Sequence, residues 1–374
     1  MKKKRICFIT TGDIKNIATA KRALGMANPL VELGWDVSIL IEDTEENHHR
    51  VSMECCDKVK VCFFPHGSAM KEIKAKNKLV KEIDPDYLYI CAFVTRNIVG
   101  IGHRCKKLVE HSELQSGIPD MKGIKKIIAY ANEFGSIVYS DALINASRHL
   151  QNIFTSRCKK MLLSSRINFY HPYAYSSSVI KVKTIDRNMT KYAGFYGRKI
   201  LVFLGTITRN YGAFTLIEAV EKVKNSHPEV LLLMLGRGRH YEEACNYVKG
   251  MKLDDYVKLP GFVEEEEIPE YFSIADYFVS PMNDTVQDWA RCPSKLYMYL
   301  PYKKPVITCK IGEPYEVLGK EGIYYKPSDS DSLAEQIIGL LESGKKELVI
   351  NPNMHSWETR TKEFDTWIKK TLEK

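Results

Sequence analysis

Two stretches near the end of the chain hold the residues best suited to chemistry. Ala275-Asp-Tyr-Phe-Val-Ser-Pro281 reads as a buried parallel strand entering a loop. Arg291-Cys-Pro-Ser-Lys295 then opens a short helix, and a β-branched strand begins at Pro305-Val-Ile307. A strand, loop and helix start in that order gathers free backbone N–H groups and the positive end of a helix, which suits phosphate. Ser294 and Lys295 add a hydroxyl and a cation at the same place. The competing reading is an ordinary β-loop-α unit with no ligand.

The elements that must position these residues are short apolar strands alternating with helical patterns, the mark of an α/β protein with parallel sheets. The strands expected in the first half are Arg5–Thr10, Trp35–Ile41, Lys58–Phe64, Tyr87–Ala92, Lys107–His111, Ala142–Ala146 and Met161–Ser164. Ala18–Leu33 reads as the first long helix, stopped by Gly34. Residues 168–198 lack periodicity and carry Pro172 and Ser176-Ser-Ser178, so a linker is expected there. Strands resume at Ile200–Gly205, Val230–Gly236, Val257–Pro260, Tyr277–Ser280, Val306–Cys309 and Ile323–Lys326. The tail reads as an amphipathic helix with Trp357, Phe364, Trp367 and Ile368 on its apolar side.

The chain has 374 residues, 44% of them hydrophobic, enough for two domains and against disorder. No run of eighteen apolar residues argues for a membrane span. Met1-Lys-Lys-Lys-Arg5 resembles the start of a signal peptide, but Ile6-Cys-Phe-Ile-Thr10 is too short for its apolar core, and a cytoplasmic protein is expected. Several of the ten cysteines sit in apolar runs, and none shows Cys-x-x-Cys spacing, so neither disulfides nor zinc are expected. The net charge of +9 is uneven: residues 1–180 hold 27 Lys/Arg against 18 Asp/Glu, and the rest holds 28 of each. A basic first half suits an anionic membrane face or acceptor, although solvated lysines on helix faces would look the same. Nucleic acid is not an expected partner, because no basic stripe is interleaved with stacking aromatics.

From Ile200 onward the sequence resembles the C-terminal half of the GT-B glycosyltransferases of group 1, family 4. The resemblance rests on Phe203-Leu-Gly-Thr206 with Tyr211-Gly212 and Leu216-Ile-Glu-Ala219; on Leu235-Gly-Arg-Gly238; on Val257-Lys-Leu-Pro-Gly-Phe-Val263; and on Pro293-Ser-Lys-Leu296 with Lys304-Pro-Val306. It implies two Rossmann-like domains facing a cleft: residues 1–178 for the acceptor, with the helix 356–374 packing back on them, and 190–355 for a nucleotide-sugar donor. The sugar nucleotide is a substrate, so no cofactor is implied, and no metal is expected.

The resemblance also assigns residues. Donor contacts are expected at Gly205, Thr206, Gly236, Arg237, Gly238, Glu316 and Ser294, with Phe262 and Val263 at the position that reads the nucleobase. Thr206 and Tyr211 stand where the family carries an arginine and a lysine, which leaves Arg209 and Lys295 as the replacement cations. The family's two glutamates fall on Ala290 and Met298, so Asp284 or Asp288 is expected to hold the sugar. Gly12 and Asp13 match the acceptor loop, and His111 with Glu113 match a His-x-Glu segment facing the cleft; a structural histidine is the alternative for His111. The expected function is transfer of a sugar from a nucleotide donor to a glycan or lipid-linked acceptor in cell-surface polysaccharide synthesis, with retention. A catalytically inactive GT-B scaffold and a GT-B sugar-nucleotide epimerase are the alternatives.

Overall fold

The structure is a computed structural model that describes residues 3–15, 19–177, 180–186, 194–344 and 347–373. The chain forms two units: Met1–Ser178 with Ala290–Cys292 and Asn353–Lys374, and Val179–Trp289 with Pro293–Pro352.

The first unit is built on a parallel sheet of seven strands. These are β1 (Arg5–Ile9), β2 (Asp36–Glu42), β3 (Lys60–Phe64), β4 (Tyr87–Ile90), β5 (Lys106–His111), β6 (Ala142–Asn145) and β7 (Ile167–Tyr170). Their order is β3-β2-β1-β4-β5-β6-β7, so the winding reverses beside β1. Ligands of open α/β sheets bind outside the carboxyl ends of strands at such a reversal. The apolar runs Ile6-Cys-Phe-Ile9 and Tyr87-Leu-Tyr-Ile90 are fully covered, as central parallel strands must be.

One expected strand is misplaced. Met161–Ser164 is a turn after the helix Arg148–Lys160, with Leu162 at φ 58° and largely exposed. The strand there is β7, which pairs Ile167–Tyr170 with Ala142–Asn145 and runs into the start of the expected linker. An edge strand buried on neither face carries a weaker hydrophobic pattern than the apolar helix end before it.

The helix Trp357–Thr371 belongs to the first unit. Asp365 Oδ1 accepts from Trp35 Nε1 at 3.0 Å, and Trp367 stacks on Phe169 at 4.4 Å. Trp357 covers Gly25 so closely that a Cβ there would meet its indole at 2.2 Å. The buried Arg22 guanidinium lies 5.4 Å from the Trp357 ring and pairs with Glu110 at 2.8 Å.

The second unit holds a parallel sheet of six strands: β8 (Lys199–Leu204), β9 (Val230–Leu235), β10 (Val257–Gly261), β11 (Tyr277–Ser280), β12 (Val306–Cys309) and β13 (Ile323–Tyr325). Their order is β10-β9-β8-β11-β12-β13, and the reversal falls beside β8. Its core is the apolar face of helices such as Ala213–Val223 laid on β8 and β9.

Candidate functional site

The carboxyl ends of β8, β9 and β10 are laced together by their backbones. Gly205 N–H donates to Leu235 O at 2.9 Å, Gly236 N–H to Gly261 O at 2.7 Å, and Ile207 N–H to Arg237 O at 3.1 Å. Gly236, at φ 137°, leaves no room for a side chain: a Cβ would stand 2.1 Å from Gly205 O. A side chain is therefore excluded from the crossing itself, and the edge there is bare backbone.

Lys295 reaches this edge. Its Nζ lies 4.0 Å from the Phe203 ring centroid and 3.5 Å from where a Cβ of Gly205 would stand. The short helix Ser294–Tyr299 that carries it is pinned by Tyr299, which stacks on Phe278 at 4.2 Å and accepts from Leu204 N–H at 3.0 Å. Leu296 and Tyr297 are buried, so the helix has one orientation and half-buried Ser294 and Lys295 stand at its exposed end. The β8 tip thus meets a cation carried by the helix, an arrangement able to bind an anion.

Thr206 is exposed beside Gly205. Arg237, also exposed, lies 4.8 Å from the Tyr241 ring and would touch a Cβ of Gly261 at 3.2 Å. Gly238 packs on Ile207 O. Phe262 is exposed and Val263 buried at the end of β10. The Arg209 guanidinium pairs with Glu243 at the surface and lies 4.0 Å from the Phe214 ring.

The loop after β11 holds the two aspartates. Asp288 is buried and exchanges hydrogen bonds with Thr285, capping the helix Val286–Ala290 from within. Thr285 thus holds one carboxylate oxygen of Asp288 at the start of its own helix. Asp284 stays exposed and accepts from Trp289 Nε1 at 2.7 Å. Ala290 is fully buried in the first unit's core, and Ser147 Oγ donates to its carbonyl at 2.6 Å. Met298 is half-buried.

Glu316 is exposed on the helix Gly312–Leu318. The same helix begins with a carboxylate that sequence reasoning missed: Glu313 is fully buried and accepts from Tyr297 OH at 2.8 Å. Its place directly after Gly312, where β12 ends, was the available signal. Gly312 packs on Trp289 O, a Cβ there standing 2.8 Å from it, so the Asp284–Trp289 loop and Glu313 occupy one edge of the sheet.

In the first unit the corresponding strand ends are filled by their own charges. Gly12 N–H donates to Glu42 Oε2 at 3.0 Å, and Asp13 Oδ1 accepts from Lys15 N–H at 2.8 Å. Buried Lys76 donates to Thr10 O and Asn97 Oδ1, and burial pushes its ammonium down to about 8 despite the neighbouring Glu72. Among the described residues, Glu42, His66 and Glu72 bring three metal-capable donors within 4.8 Å. Arg96 at 2.5 Å and Lys76 at 3.6 Å already meet the charge of Glu72.

His111 is not at an open edge. It is buried, shares a hydrogen bond with Ser136 Oγ at 2.9 Å and stacks on Phe154 at 3.8 Å. Burial, with Arg157 adding to it, pushes its imidazole down to about 3, so it stays neutral near pH 7. These contacts fit the structural alternative for His111. Glu113 is half-buried two residues beyond β5.

Two parallel sheets, each reversing its winding at a central strand, with a glycine-and-lysine edge on the second, define the GT-B architecture. Solved structures with this fold include Anabaena Alr3699/HepE in complex with UDP and glucose, at TM-score 0.76 and 16% identity over 98% of this chain and 99% of that one. The sucrose-phosphate synthase of Thermosynechococcus elongatus gives TM-score 0.76 and 16% identity over 99% of this chain and 100% of that one. Residues 185–357 match the family model of "Glycosyl transferases group 1". Spore coat protein SA of Bacillus subtilis (strain 168) is 26% identical over 201 residues, and the match spans about half of either chain, 51% of each.

Proposed function

We propose that the protein is a glycosyltransferase that takes a sugar from a nucleoside diphosphate donor held by the second unit. The observation that carries this reading is Lys295 Nζ beside the bare Gly205 edge of β8. The ammonium and the Ser294 hydroxyl meet the diphosphate, and they stabilise the charge that develops on it as the glycosidic bond breaks. Arg237 and the backbone of Phe262 and Val263 meet the nucleoside. Asp284, the exposed carboxylate of the loop after β11, holds the sugar hydroxyls. UDP-glucose is the first donor to test, since Alr3699/HepE is solved with UDP and glucose. The acceptor is a glycan or lipid-linked glycan of cell-surface polysaccharide synthesis, met by the basic first half near Gly12 and Asp13. Transfer proceeds with retention, as the resemblance implies.

A second reading, a binding subunit without catalysis, is favoured by Ala290 and Met298 at the positions where the family carries carboxylates. One experiment separates the two. Titration of the full chain with UDP and UDP-glucose is expected to show binding that Lys295→Ala weakens by about 1.5–3 kcal/mol, the worth of a hydrogen bond to a charged group. Asp284→Asn is expected to lower kcat and kcat/KM for nucleotide release together. Unchanged binding in Lys295→Ala would remove the donor site from this edge. Binding by the wild type without release of nucleotide, whatever acceptor is supplied, would establish the binding subunit.

A further inference from the structure

The helix Gly123–Tyr139 in the first unit has the wrong residues facing water. It packs through Ala129, Glu133, Ser136 and Ile137, a face half polar. At about 100° per residue, Ile124, Ile127, Ile128 and Val138 fall within one arc of about 100° on the opposite side. These four are 73%, 67%, 51% and 63% exposed. The outward face of a surface helix is ordinarily polar, so the pattern here is inverted. The charge at the start of the helix has one sign and lies off the stripe: Lys122, Lys125 and Lys126 are exposed, and no acid lies between Lys122 and Asn132.

We infer that this helix lies in the plane of an anionic lipid bilayer, with the isoleucine stripe in the acyl boundary and the lysines among the headgroups. The inference rests on the proposed transfer to a lipid-linked acceptor and on the basic first half expected to suit an anionic membrane face. Among the described residues no helix is long and apolar enough to cross a membrane, so an in-plane position is the one open to it. An interfacial helix needs an apolar stripe, lysines on its remaining sides and a stem long enough for each ammonium to reach phosphate, and all three are present. A second copy of the chain is the poorer occupant. A two-fold contact through this stripe would bring three lysines of each copy together with no acid of the same segment to offset them.

The test is co-sedimentation of the full chain with phosphatidylcholine vesicles, with and without phosphatidylglycerol, at low and high salt. Wild type is expected to bind only the anionic vesicles and to be released by salt. Ile124→Ser/Ile127→Ser/Ile128→Ser is expected to lower the partition coefficient at least about tenfold. Lys122→Ser/Lys125→Ser/Lys126→Ser is expected to cost about fivefold per lysine. Both variants should keep the wild-type melting temperature and, without vesicles, its nucleotide affinity, so failure here is distinct from failure of the transferase reading. Binding that ignores the isoleucine changes would overturn the inference. So would a concentration-dependent dimer, seen by light scattering, that those changes abolish.

Discussion

The two sheets have the same winding, but their strand-end edges are opposites. In the first unit, Glu42, His66, Glu72, Lys76 and Arg96 crowd the ends of the strands and satisfy one another. In the second unit, Gly205, Gly236 and Gly261 keep side chains off the tips of β8, β9 and β10, whose backbones bond to one another, and Lys295 is set beside Gly205. An edge whose charges are internally paired gains little from an anion, because binding must first undo those pairs. Where glycines form the strand tips and a cation stands beside them, an anion meets no carboxylate of those tips. Topology therefore permits a site at both reversals, and side-chain composition decides which one suits a diphosphate.

The change expected to break the second edge most severely is Gly236→Ala. Its Cβ would stand 2.1 Å from Gly205 O, at a φ of 137° that side chains avoid. Backbone displacement is expected to cost about 3 kcal/mol or more of stability, read by urea unfolding, together with loss of nucleotide binding. Wild-type unfolding would mean that the close backbone crossing is not what shapes the edge.

A smaller effect sharpens the first unit's side of the comparison. His111 has a folded pKa of about 3, below its ordinary value of 6.5, so the unfolded chain binds more protons between these values. Stability is then full above pH 6.5 and falls as pH drops, by about 1.4 kcal/mol per unit and about 3 kcal/mol by pH 4. His111→Gln is expected to flatten this acid limb, in urea midpoints measured from pH 7 to 4, while leaving nucleotide release in place. Loss of nucleotide release without a change in the acid limb would return His111 to the chemistry.

The smallest effect is expected from Arg209→Ala. The Arg209–Glu243 pair is exposed, and such pairs are worth less than about 1 kcal/mol. Nucleotide affinity in calorimetry should stay within about 0.5 kcal/mol of wild type. A loss as large as that expected for Lys295→Ala would show that Arg209 leaves Glu243 for the diphosphate.

What the sequence determined by itself is what local spacing encodes. The alternation of apolar strands with helices specified parallel sheets, and Gly205, Gly236, Ser294 and Lys295 were legible because strand ends and helix starts are marked by residues adjacent in the chain. What only the tertiary structure decided is which polar side chains were already committed elsewhere. Ser136 and Phe154 enclose His111, Glu243 pairs with Arg209, and Tyr297 bonds the buried carboxylate of Glu313. The edge strand β7 likewise became visible only through its register with β6. Backbone conformation follows from neighbours in sequence, whereas burial and charge pairing depend on groups that folding brings together from far along the chain.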